Sequence, residues 1–120
     1  MKFAIFIQCS PFEHQGSLSA YHFSLAALSS GHDIQQVFFY QGGILHGLTN
    51  TTLPSDEINI IERWQQLASQ YNIPLRLCIT QAETYGITAP PPAFKLSGLA
   101  EFFAESSQAD RLISFKASQS

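Results

Sequence analysis

Charge is what this 120-residue chain has least of: Asp, Glu, Lys and Arg make up 12% of it, about half the roughly 25% usual in soluble domains. So thin a charged surface leads us to expect that another subunit covers part of it. The balance is acidic, with nine Asp and Glu against six Lys and Arg and a net charge of −3. That leaves no basic footprint for direct nucleic-acid binding and no Lys/Arg cluster to hold an anionic membrane surface. No stretch approaches the ~20 apolar residues of a membrane span. The apolar opening Met1–Ile7 stops at Gln8, too short for the core of a signal peptide, and no small-residue cleavage site follows. Cysteine is scarce too: Cys9 and Cys78 are the only two. They make no disulfide framework and no Cys-x-x-Cys motif, so a reducing cytoplasm, where a lone thiol stays reduced, is the expected setting.

Several signatures are missing outright. Gly42-Gly43 and Gly47 fit neither the Gly-x-Gly-x-x-Gly nor the Walker pattern, which disfavours a nucleotide site. The Gly-x-Ser-x-Gly elbow of α/β-hydrolases is absent as well. His14, His22, His32 and His46 show no metal-like spacing with the cysteines, so neither a metal nor an organic cofactor is expected.

What the chain does have is apolar bulk, 45% hydrophobic residues with ten Phe, enough for a core in one domain spanning 1–120. Phe3–Ile7 is a continuous apolar run, the pattern of a strand buried on both faces. Leu18, Tyr21, Leu25 and Leu28 recur at helical spacing, and Gly31 supplies a stop. Ile34–Tyr40 reads as a second strand. The long segment Gln41–Pro54 exceeds an ordinary connection and points to a functional or interface loop. Ser55 is placed to cap the next helix, with Asp56 and Glu57 in its first turn. Ile58, Ile61, Trp64, Leu67 and Tyr71 form that helix's apolar stripe, and Asn72 and Pro74 end it. Leu75–Ile79 reads as a third strand and Ala89–Pro92 as a stiff extended connector. Ser97–Ser107 reads as a helix with Leu99, Phe102 and Phe103 inward, Arg111–Phe115 as a last strand, and 116–120 as a frayed tail. Strands alternating with helices at these intervals predict an α/β fold in three layers, a mainly parallel sheet flanked by helices.

Cys78 is the residue with most chemistry in it. It ends a short apolar strand with a turn or helix start just after it, and in parallel sheets the carboxyl ends of strands are where ligands are met. A helix N-terminus there presents unpaired N–H groups and a positive dipole end to an anion. Alternation puts Arg76 on the same face as Cys78, a possible cation for a thiolate. Position alone leaves two readings open, a reactive thiol or a small apolar filler of the strand. His14, in the first loop, is a candidate base or orienter, against the plainer reading of a solvated loop histidine. Cys9 follows the first strand on the same expected rim. It reads best as a solvent-edge cysteine, with a resolving partner for Cys78 as the alternative.

The chain resembles the TusD/DsrE family of small sulfurtransferase subunits. The resemblance runs through Met1-Lys2-Phe3-Ala4-Ile5, the Ser19-Ala20-Tyr21-x-Phe23 helix, Gly31-His32-Asp33-Ile34 and Val37-Phe38-Phe39-Tyr40-x-x-Gly43. It continues through Ser55-Asp56-Glu57, Trp64-Gln65-Gln66-Leu67-Ala68 and the cysteine strand to Phe94-x-Leu96-Ser97-Gly98-Leu99 and Ala109-Asp110-Arg111-Leu112-Ile113-x-Phe115. It implies a DsrE-like fold and a cytoplasmic sulfurtransferase whose family cysteine falls on Cys78. That residue would take sulfur as a persulfide and pass it to a partner thiol, in tRNA 2-thiouridine formation or dissimilatory sulfur oxidation. It also implies related subunits assembled as a heterohexamer or homo-oligomer, and donor and acceptor proteins with reactive cysteines. Two departures stand out. Thr84-Tyr85-Gly86 occupies the place of an expected Arg-Arg-Gly, and the segment from Gly86 to Phe94 is short. They leave room for an alternative, a non-catalytic interaction subunit that has lost efficient transfer.

Overall fold

The structure, a computed structural model, describes residues 1–11, 15–48 and 59–116. Its frame is a five-stranded sheet built from β1 (Lys2–Ile7), β2 (Asp33–Phe39), β3 (Leu75–Cys78), β4 (Phe94–Ser97) and β5 (Arg111–Phe115). The strand order is β4-β3-β2-β1-β5, and every pairing is parallel. The chain walks outward from β1 to β4, then returns across the sheet to lay β5 against the other side of β1.

The helices divide between the two faces, and β2 shows how. Alternate residues of a strand point to opposite sides. Phe39 meets Trp64 edge-on at 5.9 Å, on the side of α1 (Gly16–Ser29) and α2 (Ile60–Tyr71). Its neighbour Phe38 packs against Phe102 with the rings tilted and 4.9 Å apart, on the side of α4 (Leu99–Ser106). The central strands carry the continuous apolar runs that burial on both faces requires, and Ile5, Ile7, Val37, Phe38, Phe39 and Leu77 are all fully buried. This is the expected three-layer α/β arrangement.

Local chemistry sets the ends. After α1, Gly31 takes a left-handed φ of 87°, while His32 N–H reaches back to the Ala27 carbonyl at 2.9 Å, so the expected glycine stop is present. Asn72 ends α2 in the same left-handed region, φ 56°. The start of α2 differs from expectation. Its cap is Asn59, whose side chain accepts from Glu62 N–H at 3.2 Å, whereas Ser55, Asp56, Glu57 and Ile58 lie outside the described residues, as do 117–120 of the expected tail.

Three further expectations are corrected. Ile79 does not end β3; it opens a six-residue helix, α3 (Ile79–Thr84). A β-branched residue after four strand residues reads as more strand, but Ile79 is 40% exposed and has no strand partner. A fifth strand, β4, lies where no element was expected. At four residues behind the Pro90–Pro92 run it is too short to announce itself by alternation. Phe103 is not inward but 47% exposed, whereas Phe102 is fully buried. Phe102→Ala should therefore cost about 3–5 kcal/mol in urea unfolding, the range for emptying a buried aromatic site. Phe103→Ala should cost about 1 kcal/mol or less, as an edge contact does.

Candidate functional site

Cys78 ends β3 and is itself the N-cap of α3, with φ −62° and ψ 117°. It sits in register with Ser97 of β4, and the next residue, Gly98, is the N-cap of α4. Two helices thus begin at one corner of the carboxyl edge, each with first-turn N–H groups that lack an intrahelical partner. Both positive dipole ends lie on the side of the sheet edge where the thiol stands. The corner is closed: Cys78 is 3% exposed.

Arg76 shares that face but serves the other end of α4. Its Nη1 pairs with Glu105 Oε2 at 2.5 Å, and Glu105 lies seven residues beyond Gly98, about 10 Å along the helix. The pairing draws the guanidinium away from the thiol. Thr84 and Tyr85, where arginines were expected, fall at the far end of α3, about 9 Å along its axis from Cys78. His14 lies outside the described residues.

Cys9 is fully buried, not at a solvent edge. The reason is the start of α1: a Cβ on Gly16 would lie 2.5 Å from Cys9 Sγ, so only glycine lets the helix backbone rest on the sulfur. Cys9 and Cys78 are not bonded to each other. Cys9 lies two residues beyond β1 and Cys78 ends β3, with β2 between those two strands.

The segment after β2 is a 3-10 helix, Gln41–Gly47, lying across the carboxyl edge. Its approach is close: a Cβ on Gly43 would be 2.3 Å from the Ile7 carbonyl oxygen. His46 within it is fully buried and uses both ring nitrogens. Nδ1 lies 2.8 Å from the Gly43 carbonyl and Nε2 lies 2.7 Å from Ser17 Oγ. A carbonyl can only accept, so Nδ1 carries the proton and Nε2 accepts from the serine hydroxyl. Trp64 Nε1–H in turn donates to Ser17 Oγ at 3.2 Å, and the imidazole lies 4.5 Å from the Phe39 ring. Burial lowers the His46 pKa to about 4, with the Gly43 carbonyl opposing. Ser17 is 1% exposed, so the serine–histidine pair is a tie between elements rather than a nucleophile. Sequence reading left His46 unplaced; the apolar Ile44-Leu45 beside it was its one hint of burial.

A second polar chain crosses the rim. Gln8 Nε2 donates to Gln41 Oε1 at 2.8 Å, and Gln41 N–H donates to Gln81 Oε1 in the first turn of α3. Gln41 holds a left-handed φ of 51°. A cleft of about 810 Å³ lies elsewhere: Asn72, Pro74, Arg76, Ala93 and Lys95 line it at the amino ends of β3 and β4. Among the described residues, no group of three or more His, Cys, Asp or Glu is placed to hold a metal ion. Among the same residues, no helix is long and apolar enough to cross a membrane.

The sequence matches the DsrE/DsrF-like family over residues 1–115. The chain belongs to that family. It is 40% identical to a protein of Allochromatium vinosum named "Putative sulfurtransferase DsrE", over 96% of this chain and 98% of that one. It is 36% identical to a protein of Pasteurella multocida named as a sulfurtransferase TusD homolog, over 94% of this chain and 98% of the relative. The crystal structure of the ychN protein from E. coli superposes with a TM-score of 0.82 at 23% identity, covering 95% of this chain and 98% of that one. That likeness concerns the fold, which this DsrE/DsrF-like chain shares almost end to end.

The buried imidazole generates a prediction with a definite sign. The unfolded chain takes up the His46 proton near pH 6.5 and the folded chain only near pH 4. The contribution is therefore complete above about pH 6.5, falls as pH drops through the window to about 4, and totals about 3 kcal/mol. Urea unfolding between pH 7.5 and 4 should show that loss in the wild type. In His46→Gln the slope should shrink by this share, on a lower starting stability.

Proposed function

We propose that this chain is an intracellular sulfur carrier in which Cys78 takes up sulfur as a persulfide and relays it to a partner thiol. The observation that carries the reading is the position of Cys78: the last residue of a central strand, at the carboxyl edge, where α3 and α4 both begin. The sulfurtransferase names of the two relatives support the class of chemistry.

The step needs no outside oxidant. The Cys78 thiolate attacks the outer sulfur of a donor persulfide, R–S–SH; the new S–S bond forms as the old one breaks, and R–S⁻ leaves with the electron pair. Cys78–S–SH results. An acceptor thiolate then attacks that outer sulfur, and Cys78 departs as thiolate. The backbone N–H groups of the two helix starts are the groups placed to steady the anion, while Arg76 remains with Glu105. Related DsrE-family subunits would cover the apolar residues that this chain shows, Ile79, Tyr85 and Phe103 among them. The relay would serve tRNA 2-thiouridine formation or dissimilatory sulfur oxidation, in the cytoplasm.

The burial of Cys78 and the uncharged Thr84-Tyr85 favour a second reading, an interaction subunit that no longer transfers sulfur. Intact-mass measurement after incubation with a persulfide donor separates the two. The carrier reading expects an adduct of about 32 Da, one sulfur atom, on wild type and on Cys9→Ser but not on Cys78→Ser. An unmodified wild-type mass, or an adduct that survives Cys78→Ser, overturns it.

A further inference from the structure

A carrier thiol must be reached by its donor, yet Cys78 is 3% exposed. Its strand β3 is interior, flanked by β2 and β4, and the chain leaves it directly into α3, of which Cys78 is the N-cap. That helix has little of its own to hold it. Its six residues are too few for a helix to persist in water by itself, and Ala82 is its one buried residue. The far end is secured by the backbone, with Gly86 N–H on the Glu83 carbonyl at 3.1 Å and Ile87 N–H on the Ala82 carbonyl at 2.8 Å. The first turn is secured differently, by the side chain of Gln81 accepting from Gln41 N–H.

The two sides of that contact are unequal. Gln41 N–H has a fixed direction: the backbone there is left-handed, and the next two residues press on the end of β1. A Cβ on Gly42 would come 3.2 Å from the Gln8 carbonyl oxygen, and one on Gly43 would come 2.3 Å from that of Ile7. The Gln41 side chain is itself held by Gln8 Nε2 at 2.8 Å. Gln81, by contrast, reaches the contact through a flexible stem on a half-exposed turn. We infer that Gln81 and Gln41 form a latch. They are positioning residues whose hydrogen bond sets how often the first turn of α3 opens over Cys78, and hence how readily a sulfur donor reaches the thiol. As an account of transfer the latch rests on the carrier reading above; as an account of access it does not.

The test is the rate at which iodoacetamide modifies Cys78 in the full-length protein, read by peptide mass so that Cys9 is scored apart. Gln81→Met keeps length and bulk but removes the acceptor; Gln81→Glu keeps an acceptor oxygen. Alkylation through a rare open state scales with the opening equilibrium, so losing one hydrogen bond of ordinary net strength should speed Gln81→Met about three- to tenfold. Amide exchange should quicken over residues 80–82 and stay unchanged in β1, and Gln81→Glu should alkylate within about twofold of wild type. A Gln81→Met rate equal to or below wild type overturns the latch, and so does faster exchange in β1 to the same extent as in α3, which marks general loosening. If Gln81→Met alkylates faster while no variant takes up sulfur, the latch stands and the carrier reading falls. If sulfur loads on Cys78 at the same rate with and without Gln81, the carrier reading stands and the latch falls.

Discussion

Two hydrogen bonds from one buried imidazole hold the carboxyl edge of this sheet in place. His46 spans from the Gly43 carbonyl to Ser17 on α1, and Trp64 on α2 donates to the same hydroxyl. An imidazole with an unmet nitrogen in that core would cost a few kcal/mol; with both nitrogens engaged it can instead fasten three elements that share no strand. Everything at the edge follows from where this puts the 3-10 segment. Gly43 is driven onto the end of β1, Gln41 enters the left-handed region, and its N–H is aimed at Gln81. The first turn of α3, which Cys78 caps, takes its position from a histidine on the opposite face of the sheet.

The sequence shows its architecture more readily than its rim. Phe3–Ile7 and Val37–Tyr40 are readable as buried parallel strands because burial on both faces leaves an unbroken apolar run, and Gly31 and Asn72 are readable as stops because few residues accept a left-handed φ. What escapes is decided by tertiary partners. Phe102 and Phe103 are chemically identical in sequence, and only the placement of α4 over Phe6 and Phe38 buries one and leaves the other in water. Cys9 is hidden by Gly16, a neighbour that a reading of adjacent residues treats as loop. His46 is indistinguishable from a solvated loop histidine until Ser17, 29 residues earlier, is known to face it. Cys78 itself was legible by type and place, and the family resemblance pointed to the same residue, but its enclosure was not.

Enclosure also settles how the site can be polarised. A chain with 12% charged residues has few cations to spend, and Arg76, the one on the face of Cys78 in β3, is committed to Glu105. What stands at the thiol itself are the backbone dipoles of two helix starts. They suit a closed site, since an N–H at a helix start needs no flexible side chain to be ordered, and a dipole next to a buried atom escapes much of the screening that weakens surface charges. The register of Cys78 with Ser97 brings a second helix start to the same corner. The short strand β4, invisible in the sequence, therefore matters as much to the thiol as the strand that carries it.

The helix that starts at Cys78 also presents apolar surface. Ile79 and Tyr85 bracket α3, 40% and 54% exposed, on a helix with a single buried residue. Desolvating those two side chains would stabilise a bound partner by area alone, and such a partner would bear on the turn that starts at the thiol. A persulfide is reactive toward every thiol it meets, so a carrier gains from staying closed in free solution and opening where an acceptor is already docked. In this chain the exposed Ile79 and Tyr85 flank the same six-residue helix that starts at Cys78, so a partner that buried them would couple its binding to the first turn beside the thiol.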